Sequence, residues 1–148
     1  MISEIIKEKT SADHLLYVSL KYTKTCDVIL NLLARWKSLI ELSFDSIIQT
    51  YVDCEKIPAM PISPKQRIEF IRTYFKDFKH IQTIVPVYIF FKRVPDCQKS
   101  REGEFRKNVN LKVKLPNDVI SINLLKLDEY SGIVDDFMKD IKSILVTA

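Results

Sequence analysis

The stretch LLYVSLKYTKTCDVILNLLARWKSLIELSFDSIIQTY, residues 15–51, decides the predicted fold. Its apolar residues recur every three or four positions for about ten turns, which is the spacing of one buried face of an α-helix. No proline or glycine interrupts residues 11–56. Thr10 and Asp13 have the spacing of a capping box at a helix start. The sequence therefore predicts one very long first helix.

Three further helices are indicated by apolar spacing and by their end signals. Ser63 and the proline that follows it have the pattern of an N-cap and first helical residue, so helices are expected over about 64–79 and 83–94. Pro86 is the reason for separating these two, because a proline is best tolerated in the first turn of a helix. The last helix is expected from Asn123, as its N-cap, to about residue 145.

Residues 109–122 have a different pattern. From Val109 to Leu115, apolar residues alternate with asparagine and lysine, which indicates a strand with one buried face. Pro116, Asn117 and Asp118 are typical turn residues. A second short strand over 119–122 would complete a small β-hairpin before the last helix.

These elements predict a mainly α protein, a four-helix up-and-down bundle with a very long first helix, in a single domain covering residues 1–148. The other helices would be too short to cover the first one. Its remaining apolar surface predicts a homodimer.

The positive charge of the chain is concentrated in residues 92–114. The net charge is +4, and this segment contains eight lysines or arginines and three acids, so it carries +5 and the rest of the chain carries −1. Such a segment is either a solvated connector or a surface that binds phosphates. The seven side chains expected to contact nucleic acid are Lys99, Arg101, Arg106, Lys107, Asn108, Lys112 and Lys114.

Several other classes of protein are disfavoured. With two glycines in the whole chain, a glycine-rich phosphate loop is nearly excluded. The three cysteines and two histidines lack zinc-ligand spacing, so neither a metal nor a cofactor is expected. The N-terminal MISEIIKEKT carries acids and has no long apolar core, and no segment is apolar enough to span a bilayer. These features predict a cytoplasmic protein that does not enter a membrane.

The layout of residues 11–146 resembles the HEPN superfamily of small α-helical bundles, in an uncharacterised archaeal-type branch. The cues are DHLLYVSLKYTKTCDVI on the first helix, a middle pair of helices, a basic loop and a final helix. Nuclease members carry an arginine, four to six residues and then a histidine. The matching segment here runs from Arg101 to Asn108, with asparagine in place of histidine. The resemblance therefore implies RNA contact without the family's cleavage chemistry.

The resulting hypothesis is a non-enzymatic helical bundle that binds RNA or a nucleotide through the basic loop before the last helix. Two alternatives stay open at this point. One is a protein–protein interaction module, such as an antitoxin-like dimer that uses the long helix. The other is a ribonuclease with a variant motif.

Overall fold

The computed structural model describes residues 2–147. The first helix, α1 (Ile2–His14), continues through a π-helical turn (Leu15–Ser19) into a short α2 (Leu20–Tyr22). The longest helix, α3, spans Cys26–Asp53. The remaining elements are α4 (Pro64–Tyr74), α5 (Lys79–Arg93), a 3₁₀ turn (Val94–Asp96), β1 (Gln98–Glu102), β2 (Asn110–Leu115), β3 (Asp118–Asn123) and α6 (Leu124–Thr147).

The prediction of a four-helix bundle with one very long first helix is wrong. The chain reverses at residues 23–25, and α1 folds back against α3. Thr25 has an extended backbone, and its side chain accepts a hydrogen bond from the Val28 N–H, so it is the N-cap of α3. The proposed capping pair lies inside α1, where Thr10 donates to the Ile6 carbonyl and Asp13 pairs with Lys9.

The reversal also changes the argument for a dimer. That prediction depended on a long helix that its partners could not cover. In the structure α1, α4, α5 and α6 all contact α3. The buried apolar residues of α3, from Cys26 to Ile48, belong to the same cluster as those of its neighbours. The dimer therefore stays a prediction, but an uncovered long helix no longer supports it.

The two middle helices are present with shifted boundaries. Ser63 accepts a hydrogen bond from the Gln66 N–H at 3.1 Å, so the predicted N-cap of α4 is confirmed. The break does not fall beside Pro86, which lies inside α5. Instead, the side-chain amide of Gln82 donates to the carbonyls of Ile71 and Phe75 and satisfies the end of α4.

A three-stranded antiparallel sheet, in the order β1-β2-β3, lies between α5 and α6 in the chain. The predicted hairpin is its β2–β3 pair, in which Leu111 faces Ile122 and Val113 faces Ile120. The third strand, β1, was not predicted. Its sequence QKSRE has no apolar residue, so it lacks the alternation by which a strand is recognised.

Candidate nucleic-acid interface

The seven predicted site residues lie in three places, on the two faces of the sheet and in one of its loops. Neighbouring residues of a strand point to opposite faces. Lys112 and Lys114 lie on the face of β2 opposite the buried Leu111 and Val113. Lys99 and Arg101 of β1 pair with Val113 and Leu111, so they lie on the other face. Arg106, Lys107 and Asn108 lie in the connection between β1 and β2.

Three of the predicted cations already have partners within the protein. The Lys99 ammonium donates to the carbonyls of Val94, Pro95 and Cys97, at 2.8 to 3.2 Å, and so closes the 3₁₀ turn. Lys112 forms an ion pair of 2.9 Å with Glu102 on the neighbouring strand. These lysines would have to give up internal contacts in order to bind a phosphate.

Arg101 is the third predicted cation that has partners within the protein. Its Nη1 lies 2.7 Å from Asp27 Oδ1 and 3.8 Å from Glu104 Oε1. The hydrogen bond to Asp27 raises the pKa of the Arg101 guanidinium. The two neighbouring carboxylates offset its charge, so Arg101 connects β1 to α3 and adds little to a positive surface.

Arg106, Lys107 and Lys114 are exposed and, among residues 2–147, form no ion pair or side-chain hydrogen bond. A phosphate could approach them without breaking an internal contact. Arg106 and Lys107 are adjacent in one loop, whereas Lys114 lies on the outer face of the sheet. The two adjacent unpaired cations therefore lie in the segment from Gly103 to Val109, which we call the Phe105 loop.

The neck of the Phe105 loop requires a glycine. Gly103 has φ +64°, and a Cβ at this position would lie 2.6 Å from the Asn108 carbonyl oxygen, closer than atoms tolerate. The Arg106 N–H donates to the Gly103 carbonyl, and the Val109 N–H donates to the Arg106 carbonyl. These turns close the loop on itself before β2 begins.

Hydrogen bonds attach the Phe105 loop to the start of α3 and to the residue two positions before it. The Glu104 carboxylate accepts from the Cys26 N–H, with the nearer oxygen at 3.2 Å. It thus caps an amide that α3 cannot pair internally, and negative charge is favourable there. The Phe105 N–H donates to the Lys24 carbonyl at 2.7 Å. The loop is therefore held against the reversal between α2 and α3.

Cys26 lies beneath this attachment. The residue is fully buried, and its thiol donates to the Asn110 carbonyl at 3.5 Å. Burial, together with the Glu104 carboxylate, raises the pKa of the Cys26 thiol to about 11. A neutral, buried thiol is a poor nucleophile, so Cys26 is a packing residue.

Phe105 itself points into solvent. Its side chain is 75% exposed, although the backbone on both sides is hydrogen-bonded to the protein. Its φ of 67° places it in the left-handed region, where a bulky residue is rare and costs roughly 1–2 kcal/mol. A large aromatic ring is thus held outward, in a strained conformation, directly before two unpaired cations.

Most other aromatic side chains of α4 and α5 pack inside the protein. Phe75, Tyr88 and Phe91 are buried, and Phe91 stacks on Trp36 with ring centroids 5.9 Å apart. These rings stabilise the core and are not available to stack on a base. The exposed aromatic residue that matters, Phe105, was overlooked. Its signal was a lone phenylalanine in the polar segment EGEFRKN.

The segment that matches the HEPN nuclease motif, from Arg101 to Asn108, does not lie on a helix. Arg101 is in β1, and Asn108 lies against Gly103 at the neck of the loop. Within residues 2–147, no three histidine, cysteine, aspartate or glutamate side chains are placed to hold a metal ion. No helix in the same range is both long and apolar enough to cross a bilayer.

No protein-family model, curated protein or solved structure matches this chain. The HEPN resemblance therefore stays a prediction.

Proposed function

We propose that this protein binds single-stranded RNA through the Phe105 loop, with a base stacked on Phe105 and phosphates held by Arg106 and Lys107. The observation that carries the proposal is the outward, strained and anchored position of Phe105. Proteins grip single strands by stacking bases on aromatic side chains beside cations that follow the backbone. Every base has a flat face, so this contact alone requires no particular sequence.

The arrangement of the loop suits such a role. Its backbone is already hydrogen-bonded at Phe105 and at Arg106, and Glu104 ties it to α3. A loop that is ordered before binding loses less conformational entropy when the ligand arrives. Arg106 and Lys107 also need not release internal partners.

The test is fluorescence anisotropy with a labelled oligouridine, titrated at several salt concentrations. Each phosphate contact on a single strand contributes about 0.7 to the slope of log affinity against log salt. The double variant Arg106→Ala/Lys107→Ala should therefore lower that slope by about 1.4. Phe105→Ala should remove a stacking energy of roughly 1–3 kcal/mol, which is a five- to 150-fold loss of affinity.

A matched control is the double variant Lys65→Ala/Lys76→Ala. Both lysines are exposed and unpaired among the described residues, and both lie at or near α4. α4 is joined to α3 by the Arg67–Asp45 ion pair, roughly 30 Å along α3 from the Phe105 loop. The control removes the same charge. The proposal fails if both double variants weaken binding equally, or if the wild-type protein does not bind oligouridine even at low salt.

A further inference from the structure

A cavity of about 220 Å³ lies beside the Phe105 loop, between the π-helical turn, α2 and the start of α6. Lys24 joins the two features, because it lines the cavity and its carbonyl accepts the Phe105 N–H. Cavities for drug-sized ligands measure roughly 300–1,000 Å³, so this one suits a single flat ring system. Its lining consists of Leu16, Tyr17, Leu20, Lys21, Lys24, Leu124 and Asp128.

The apolar part of the lining can hold the faces of a ring. Leu16 and Leu20 are buried residues of the helical core, whereas Tyr17 is 60% exposed. Tyr17 lies in the π-helical turn, an irregularity that is often found at functional sites. An aromatic side chain beside an apolar floor is a suitable surface for a nucleobase.

The polar part contains two cations and one carboxylate. Lys21 is exposed, and the Lys24 ammonium donates to the Lys21 carbonyl at 2.6 Å, which leaves two further N–H groups on that ammonium. Asp128 forms no hydrogen bond or ion pair with another residue in the range 2–147. An unpaired carboxylate only accepts hydrogen bonds, so its preferred ligand presents donors.

Among the four bases of RNA, guanine fits a carboxylate best. Its Watson–Crick edge carries two adjacent donors, N1–H and the N2 amino group, which match the two oxygens of a carboxylate. Adenine and cytosine place a ring-nitrogen acceptor next to their amino group, and uracil places a carbonyl on each side of its single N–H. With these three bases, a carboxylate oxygen would face an acceptor.

We infer that this cavity binds a guanine base of the RNA strand held by the Phe105 loop, with Asp128 accepting hydrogen bonds from N1–H and N2–H. This inference rests on the proposed function and adds a base preference to it. Lys21 and Lys24 supply positive charge for the phosphate that accompanies the guanine.

The experiment compares labelled oligouridine with the same oligomer containing one central guanosine, adenosine or inosine. Inosine retains N1–H and lacks the N2 amino group. A bidentate base contact discriminates by roughly 1–3 kcal/mol, so guanosine should improve the affinity of the wild-type protein about tenfold over uridine. Inosine should recover only part of the gain, and adenosine none.

Asp128→Asn tests the assigned residue, because an amide turns one of the two acceptors into a donor. Glu129→Gln is the matched control: Glu129 is the exposed neighbour on α6, it pairs with Lys126 at 3.4 Å, and its change removes the same charge. Either variant should slightly raise the affinity for oligouridine, because each removes one negative charge. Only Asp128→Asn should abolish the guanosine preference, with circular dichroism showing that the variant is folded.

The outcomes separate the two proposals. Oligouridine binding that does not change with the central base overturns the guanine inference and leaves the proposed function in place. A guanosine preference that survives in Asp128→Asn overturns the assignment to this cavity. Failure of every oligomer to bind the wild-type protein overturns the proposed function, and this inference with it.

Discussion

Replacing Phe105 with glycine should separate its effect on stability from its effect on binding. Phe105 lies at φ 67°, where a side chain costs roughly 1–2 kcal/mol and glycine costs nothing in steric terms. In ordinary positions glycine is less stable than alanine by roughly 0.5–1 kcal/mol, because it is more flexible in the unfolded chain. The difference favours glycine here. We expect Phe105→Gly to be more stable than Phe105→Ala by about 0.5–1 kcal/mol.

The assay is urea unfolding followed by circular dichroism. With a slope of roughly 1.5 kcal/mol per molar urea, the expected difference moves the midpoint by about 0.5 M. Both variants should lose RNA affinity equally, because both lack the ring. Phe105→Tyr and Phe105→Trp should retain it, since these side chains also stack.

Glu55 provides the matched control. It has φ 61° at the end of α3, and the 28 residues of that helix place it roughly 40 Å from the Phe105 loop. Glu55→Gly should also be more stable than Glu55→Ala, and both should bind RNA like the wild type. If alanine matches or exceeds glycine at position 105 while glycine is favoured at position 55, the reasoning about the strained loop is refuted. If Phe105→Gly binds RNA normally, the stacking role is refuted instead.

Three further predictions concern residues around this framework. Asp140→Ala should reduce stability by about 1–2 kcal/mol in urea unfolding, because Asp140 of α6 accepts from the His80 and Ile81 amides in the first turn of α5 at 3.0 and 3.3 Å. The nearby surface change Asp136→Ala should cost less than about 0.5 kcal/mol. A thiol reagent at pH 8 should label the exposed Cys54 and leave Cys26 unmodified until the protein unfolds, because burial raises the pKa of the Cys26 thiol to about 11. Mass spectrometry would follow the labelling, and rapid labelling of Cys26 in the native protein would contradict this. Thr25→Ala should lower the free energy of unfolding by about 1 kcal/mol in thermal or urea unfolding, because the hydroxyl at the start of α3 accepts from the Val28 N–H. Thr25→Ser should lower it by almost nothing. Equal losses of stability in both variants would argue against the role of Thr25 as the N-cap.

The local parts of the fold could be predicted because neighbouring residues decide them. Ser63 and Asn123 cap the helices that follow them, and both contacts are present. The β2–β3 hairpin follows from alternating apolar residues on either side of Pro116 and Asn117. Each of these signals lies within a few residues of the structure it specifies, so no knowledge of distant contacts is required.

The reversal between α2 and α3 was missed because hydrophobic spacing continues across it. α1 packs against α3, and the apolar residues Val18, Tyr22 and Cys26 keep a four-residue spacing across the reversal although Val18 and Tyr22 are exposed. The available local signal was Thr25 followed by Asp27, a plausible helix start. Periodicity alone cannot distinguish one long helix from two helices packed face to face.

Some features of the candidate site also follow from the sequence alone, whereas others depend on the tertiary structure. By itself, the sequence determined which segment carries the positive charge and that a hairpin follows it, since composition and alternation are properties of the chain alone. Only the tertiary structure decided which cations are available. Strand pairing turns Lys99 and Arg101 toward internal partners, and attachment to α3 holds Phe105 outward beside Arg106. The partners of Arg101 and of the Phe105 amide, Asp27 and Lys24, are more than seventy residues away in the chain, and only folding brings them to the loop.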